Sequence, residues 1–182
     1  MEKNATGIKY AYSISEPQSQ SLPDNLVPVY EGWQSLCGKR PHPEWNEWDW
    51  ALVPPELVPW CTVVDVIPYP LDFVYRMCGE KRIKLYGHDY TGSSVFEVKP
   101  AFLSNKILEE YVAVKERGAP IFVSTTGMNM NPTESYGFLR LPFGKQGRIG
   151  QILGIGVHLD DKIDRIRALY AAESIPDPDS CF

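Results

Sequence analysis

The spacing of apolar residues predicts three amphipathic helices. Over residues 26–37 apolar side chains recur every three or four positions, which places them on one face of a helix. Gly38 follows directly, and glycine readily adopts the left-handed conformation with which many helices end. The same spacing recurs over residues 102–117, before Gly118, and again over residues 160–170. Each of these segments should bury one face and expose the other.

Five other segments have the composition of β-strands, since they are rich in β-branched and aromatic residues. Between the first two, prolines at positions 68 and 70 enforce a turn, which predicts an antiparallel hairpin. The run Gly-Lys-Gln-Gly joins the last two and is typical of a second hairpin. Apolar and more polar residues alternate in the second segment, so we expect Phe73, Tyr75 and Met77 to share one face. The five segments are 60–67, 72–78, 120–126, 135–143 and 148–159.

A short helix and a corner separate the second strand from the long helix at 102–117. Residues 75–79 read YRMCG, a short helix is predicted over 80–86, and the corner contains GHD at 87–89 and TG at 91–92. In PAS sensor domains, a strand with a Tyr-rich end leads into a short helix, a Gly-x-Asp turn and a Thr-Gly step. The chain therefore resembles the PAS domain superfamily.

Within that superfamily the chain is similar to a group of stand-alone proteobacterial PAS proteins. In that group a helix with a Trp-x-x-Leu pattern, here Trp33 and Leu36, precedes a connection bounded by prolines. The likeness covers residues 26–159. It implies an α+β fold, with a PAS-like five-stranded antiparallel sheet, helices on one face, and N- and C-terminal flanking helices.

We divide the chain into three parts. Residues 1–25 are rich in Ser, Gln, Asn and Pro without a sustained period, so we expect a flexible N-terminal arm. Residues 26–159 form the PAS-like domain with its N-terminal helical extension. Residues 160–182 form a C-terminal helix and tail.

Tryptophans are concentrated in the connection before the first strand. Trp45, Trp48 and Trp50 lie there among several prolines, which predicts a short helix followed by an extended stretch. The cluster could be a stacking platform for a ring-bearing ligand, or a lid that packs over the sheet. We favour the lid, because tryptophans bury large areas in ordinary protein cores.

Composition limits the classes of partner. With 18 basic and 23 acidic residues, the net charge of −5 provides no overall basic field, so we expect no nucleic acid partner. The basic residues Lys81, Arg82 and Lys84 lie close together, and we interpret them as a solvated helix face. We find no signal peptide and no apolar stretch long enough to span a membrane, which predicts a cytoplasmic protein without a membrane partner.

The chain offers little to catalysis or to metal binding. Its four cysteines are widely spaced, and His42, His88 and His158 match no metalloenzyme spacing, so we expect a non-enzyme without a metal site. The glycines in GQILGIG lie inside a predicted strand, which argues against a dinucleotide fingerprint and favours close packing or a ligand over the sheet.

The PAS resemblance also bears on cofactors. Covalent flavin attachment in PAS photosensors uses an Asn-Cys-Arg-Phe motif, which this chain lacks. Haem-binding PAS domains use an axial His on the long helix, and residues 102–117 contain none. We therefore expect neither haem nor covalently attached flavin, and the identity of any ligand stays open.

Two functional hypotheses follow. In the first, the chain is a sensory or regulatory module that binds a small apolar or aromatic ligand and signals through a separate protein. In the second, it is a protein interaction or dimerisation module with a filled core and no ligand, whose flanking helices and sheet surface bind another protein or a second copy, with a homodimer through the flanking helices as one form. The candidate ligand-binding residues are Phe73, Tyr75, Met77, Tyr86, Phe122, Leu139 and Leu153.

Overall fold

The computed structural model describes residues 2–3, 9–126, 135–164 and 166–167, with side chains from residue 11 onward. Over this part of the chain, three α-helices combine with one antiparallel sheet. The helices are α1 (Val27–Cys37), α2 (Glu80–Tyr86) and α3 (Ala101–Arg117). The strands are β1 (Glu2–Lys3), β2 (Lys9–Ser15), β3 (Cys61–Pro68), β4 (Leu71–Cys78), β5 (Ile121–Thr126), β6 (Ser135–Lys145) and β7 (Arg148–Val157). Their order in the sheet is β1-β2-β5-β6-β7-β3-β4.

The five predicted strands are confirmed as β3 to β7, and they lie side by side in the sheet. The predicted hairpins β3–β4 and β6–β7 are also present. Helices α1, α2 and α3 lie where the sequence predicts them. Two strands, then helices, then three strands is the chain order that the PAS resemblance implies, and the central part of this α+β fold is consistent with it.

The sheet is wider than the five strands expected, because part of the N-terminal arm joins it. Strand β2 pairs with β5 along its length from Ala11 to Ser15, and the two-residue β1 pairs with β2. Tyr12 and Ile14 pack against the core, while the residues on either side of them are exposed. The alternation of exposed and partly buried residues in β2 is short and includes small serine side chains. It was therefore not visible within the polar composition of residues 1–25.

The predicted C-terminal helix over residues 160–170 lies partly outside the described residues. Its described part includes Ile163 and Ile166, which are buried in the same core as residues of α3. The described part of this segment therefore packs on the same side of the sheet as α3.

Different parts of the chain cover the two faces of the sheet. One face meets α2 and α3 across what we call the α3-side core. The other face meets α1 and the tryptophan-rich connection across the α1-side core. The α3-side core includes Phe73, Tyr75, Tyr111, Phe138 and Ile152. The α1-side core includes Trp33, Val63, Leu139, Leu153 and Ile155. The expectation of helices on one face of the sheet holds for α2 and α3. The flanking helix α1 covers the opposite face.

Helix α1 is fixed to the sheet by its buried face and by one specific hydrogen bond. The Trp33 indole N–H donates to the Pro142 carbonyl of β6 at 2.9 Å, and both groups are buried. The ring of Tyr30 stacks on Trp33 with an interplanar angle of 7°. Gly38 then ends the helix with a positive φ of 58°, as the sequence predicts.

The tryptophan-rich connection packs over the sheet as the lid interpretation predicts. It forms short 3₁₀ turns at Trp45–Glu47 and Trp50–Leu52. The rings of Trp45 and Trp48 both contact Phe143 edge-on, with centroids 5.1 and 5.4 Å from it. These tryptophans extend the α1-side core to the end of β6.

Replacing Trp33 with Phe tests how α1 is attached. The substitution keeps an aromatic ring but removes the donor to the Pro142 carbonyl, so we expect the free energy of unfolding to fall by about 1–3 kcal/mol. Urea denaturation followed by circular dichroism measures this. The control is Gln34→Ala on the exposed side of α1, which should stay within about 0.5 kcal/mol of the wild type. Equal effects of the two substitutions would contradict this attachment.

Candidate functional site

Polar side chains gather inside the α3-side core, in a place where apolar residues would ordinarily pack. They come from β3, β4 and β6 in the sheet and from α2 and α3 above it, and all are buried or partly buried. We call this group the polar cluster. Its members are Thr62, Tyr75, Arg82, Tyr86, Glu110, Tyr111 and Arg140.

One half of the polar cluster is a buried ion pair. Arg140 on β6 is 1% exposed, and its Nε donates to Glu110 Oε2 at 2.9 Å while Nη2 donates to the same oxygen. Its Nη1 donates to the Tyr111 hydroxyl at 3.2 Å. Burial works against the charge, but Tyr111 and Glu110 hold the pKa of Arg140 above its ordinary value. Arg140 is therefore charged, and its guanidinium donates hydrogen bonds to the Glu110 carboxylate and to the Tyr111 hydroxyl.

Strand β7 makes room for the Arg140 guanidinium. Gly154 lies directly opposite Arg140 in the sheet, and a Cβ there would clash with Arg140 Nη1 and lie 2.8 Å from Thr62 Oγ1. A Cβ at Gly156 would likewise crowd Leu159 and the Phe138 ring. Two glycines of GQILGIG thus allow close packing within a strand, one of the alternatives that the sequence leaves open.

The N-terminal strand completes the surroundings of Glu110. The Tyr12 hydroxyl on β2 donates to Glu110 Oε1 at 3.4 Å, so the two carboxylate oxygens have different donors. Burial and the adjacent Glu110 raise the pKa of Tyr12, which keeps its hydroxyl a donor. Glu110 is therefore fully engaged by Tyr12 and Arg140.

The other half of the polar cluster contains a second arginine without such support. Arg82 on α2 is 2% exposed, and its Nη2 donates to the Tyr86 hydroxyl at 2.6 Å. Its Nε is buried without a hydrogen-bond partner. No ion pair joins Arg82 to a carboxylate in the part of the chain that the structure describes. The sequence interpretation of this residue as part of a solvated face is wrong.

Aromatic rings surround the Arg82 guanidinium. It lies 4.5 Å from the centroid of the Phe138 ring and 4.9 Å from that of Tyr86. The Arg140 guanidinium lies 5.3 Å from the same Phe138 centroid, so the two like charges share one ring. Ring faces attract cations, but each contact contributes far less than a buried carboxylate would. The polar cluster thus holds two guanidinium charges and one carboxylate.

Tyr75 adds a second polar group without a partner. Its side chain is 1% exposed, and its hydroxyl forms no hydrogen bond of acceptable geometry. Burial raises the pKa of Tyr75 well above its ordinary value, and the nearby Tyr86 adds to this effect. The phenols around Arg82 are therefore neutral at physiological pH, and they do not balance its charge.

The structure divides the seven candidate ligand-binding residues between the two faces of the sheet. Phe73, Tyr75 and Tyr86 belong to the α3-side core or pack against it, beside the polar cluster. The remaining four belong to the α1-side core or pack against it, and they are Met77, Phe122, Leu139 and Leu153. The sheet separates the two groups, so they do not line one common site.

A β-bulge explains the position of Met77. In the β3–β4 pairing Val64 lies opposite Tyr75, but its neighbour Val63 lies opposite Met77, so Arg76 is an extra residue in β4. The extra residue reverses the alternation of side chains, which sends Met77 to the α1 side. The prediction that Phe73, Tyr75 and Met77 share one face is therefore wrong for Met77.

Among the described residues, nothing indicates an activated nucleophile or a metal site. Burial raises the pKa of Cys61 to about 12 and that of Cys37 to about 11, and it also raises the pKa of Cys78. These thiols are protonated near neutral pH. No group of three or more His, Cys, Asp or Glu side chains could hold a metal ion in this part of the chain.

An open groove lies where the central strands β3, β6 and β7 meet the β6–β7 turn. It has a volume of about 590 Å³, and Trp45, Lys145, Arg148 and Gln151 are among its lining residues. None of its described lining residues contains a buried polar atom without a partner. The polar cluster is therefore the stronger candidate site.

Comparisons with known proteins do not assign the chain to a family. No protein-family model matches it, and no curated protein matches it. It is similar at 15% identity, with a TM-score of 0.37, to a solved structure described as that of an RNA-binding Light-Oxygen-Voltage receptor. The match covers 92% of this chain and 43% of the receptor chain, so the chain spans less than half of that protein. A likeness this weak carries no argument about function.

No helix in the described residues is long and apolar enough to cross a membrane.

Two glycines of β7 test the packing around Arg140. Gly154→Ala introduces a clash with the Arg140 guanidinium, so we expect a loss of about 1–3 kcal/mol in the free energy of unfolding. Gly150→Ala in the same strand meets open space and should cause no loss. Urea denaturation of both variants measures the difference. Equal stability of the two would show that β7 does not confine Arg140.

Glu110 and its neighbour Glu109 test the buried ion pair. Glu110→Gln leaves the Arg140 charge buried without a counterion, and we expect it to lower the free energy of unfolding by about 3–5 kcal/mol. Glu109 forms only a surface pair with Lys106 at 3.7 Å, so Glu109→Gln should change stability by less than about 1 kcal/mol. Chemical denaturation at neutral pH compares them. A small effect of Glu110→Gln would mean that Arg140 reaches solvent or another acceptor.

Proposed function

We propose that this chain is a PAS-like sensory module that binds a small ligand inside the α3-side core and acts on a separate protein rather than as an enzyme. The observation that carries the proposal is Arg82, a buried guanidinium without a carboxylate partner in the described residues, next to the unpartnered Tyr75 hydroxyl. A buried unpaired charge costs several kcal/mol. Proteins violate such packing rules mainly at functional sites.

The rings beside the polar cluster suit a ligand with an aromatic or apolar body. Tyr75, Tyr86 and Tyr90 form mutual ring contacts, with centroids 5.9 to 6.4 Å apart. Phe138 adds a further ring on the sheet. A small aromatic ligand agrees with the expectation from the sequence, while the polar cluster adds a requirement for polar groups on it.

Contacts of α2 suggest a route for the signal. Lys81 on α2 forms an ion pair with Asp160, which also accepts a hydrogen bond from the Trp60 indole at 3.3 Å. Asp160 begins the C-terminal flanking segment, whose Ile163 and Ile166 lie in the α3-side core. A ligand that moves Arg82 would thus act on the helix that is tied to this segment. The flanking segment is the part that we assign to partner or homodimer contacts.

A second candidate function is a protein interaction module without a ligand. Its support is a group of exposed apolar side chains around the β3–β4 hairpin, where β4 is an edge strand of the sheet. Tyr69 is 93% exposed at the hairpin tip, and Ile67 and Leu71 flank it at 38% each. Exposed apolar residues on a sheet edge are typical of surfaces that contact another chain.

Native mass spectrometry of freshly purified protein, paired with the denatured mass and an absorption spectrum, separates these candidates. We expect a small-molecule mass that is present in the native spectrum and absent after denaturation, because the ligand is held without a covalent bond. An empty protein that forms a stable dimer would instead favour the interaction module. The same spectra report the number of subunits.

A further inference from the structure

We infer that the site at Arg82 and Tyr75 recognises a small organic carboxylate with an aromatic body. This inference rests on the proposed function, and it adds the chemical class of the ligand. Three features lead to it: the charge balance of the polar cluster, the donors that are left unused, and the rings around them.

The charge balance calls for one negative charge. Glu110 is the carboxylate of the polar cluster, and its oxygens are already occupied by Arg140 and Tyr12. Asp160, which is tied to α2 through its ion pair with Lys81, is largely exposed. Neither group is left for Arg82. A monoanion placed beside Arg82 would bring the buried charges into balance, which a neutral ligand would not do.

The unused donors fit a carboxylate group. A guanidinium presents its Nε and Nη hydrogens in one plane, and this spacing matches the two oxygens of a carboxylate. Arg82 Nε is free, and Nη2 is engaged only with the neutral Tyr86 hydroxyl. The Tyr75 hydroxyl supplies an additional donor from the sheet side. An ionised carboxylate on the ligand would accept all of these hydrogen bonds, because it carries no proton.

The surroundings of these donors are aromatic. Phe138 and Tyr86 lie on the Arg82 guanidinium, and Tyr90 packs against Tyr86 with centroids 5.9 Å apart. Flat rings favour a flat apolar body on the ligand. A strongly hydrated inorganic anion would lose its water here without gaining these contacts.

Benzoate and its neutral counterpart benzamide are the probes that we would use with the full chain. We expect benzoate to raise the melting temperature by an amount that grows with the logarithm of its concentration above Kd, and calorimetry to show benzamide binding weaker by roughly tenfold or more. Inorganic phosphate at matched ionic strength is the third probe and should have no effect. Stabilisation by phosphate in place of benzoate would overturn the organic carboxylate in favour of an inorganic anion.

Arg82→Met locates the effect, with Lys84→Met on the exposed side of α2 as the matched control. We expect Arg82→Met to weaken benzoate binding by roughly tenfold or more, while Lys84→Met leaves it unchanged. The ligand-free Arg82→Met protein should melt no lower than the wild type, because an unpaired buried charge has been removed. That result also shows that the variant is folded. Tyr75→Phe keeps the ring and should weaken binding by a few-fold.

The outcomes separate this inference from the proposed function. Equal binding of benzamide and benzoate, or benzoate binding that persists in Arg82→Met, would overturn the carboxylate class while the protein still binds a ligand. If purified protein carries no small molecule and none of the probes shifts its melting temperature, both proposals fail. A copurified carboxylic acid, lost from Arg82→Met and kept by Lys84→Met, would support both.

Discussion

Among the described residues, the polar cluster buries two guanidinium groups and one carboxylate, and the functional proposal depends on that imbalance. Arg140 is held by Glu110 and Tyr111, so its charge is compensated at close range. Arg82 contacts rings and one phenol, and it is buried to the same degree. In an interior of low dielectric constant, these two arrangements differ by several kcal/mol. The difference makes Arg82 the centre of the functional proposal.

The fold supports the compensated arginine with parts that are distant in sequence. β7 contributes Gly154, which leaves space for the guanidinium, and α3 contributes Glu110. β2 brings Tyr12 to the remaining oxygen of that carboxylate. The N-terminal strand therefore has a structural role beyond widening the sheet, because it completes a buried network. Arg82 instead sits on the seven-residue helix α2, which is also tied to the C-terminal flanking segment through Lys81.

Composition located strands β3 to β7, because β-branched and aromatic residues are concentrated in them, although β3 and β6 are buried on both faces. Periodicity located helices α1 and α3, because each buries one face and one-faced burial leaves a visible pattern in the sequence. It failed where a single residue broke the pattern, as at the bulge that sends Met77 to the α1 side. Charged residues were harder, because a sequence does not show the partner that a buried charge meets. Arg140 within FLRLPF was the available signal, since it interrupts an apolar run. For Arg82 the signal was weaker: its spacing from Tyr86 puts the two residues on one face of the helix.

The most direct measurement is nuclear magnetic resonance of the arginine Nε–H groups, with the Arg82 and Arg140 signals assigned by substitution. We predict that the Arg140 Nε–H is protected from exchange in every state, because Glu110 accepts its hydrogen bond. The Arg82 Nε–H should lack an acceptor in ligand-free protein, then shift and gain protection when benzoate is added. An Arg82 signal that is already protected in ligand-free protein, and unchanged by benzoate, would show that Arg82 has a partner within the protein and is not the carboxylate site.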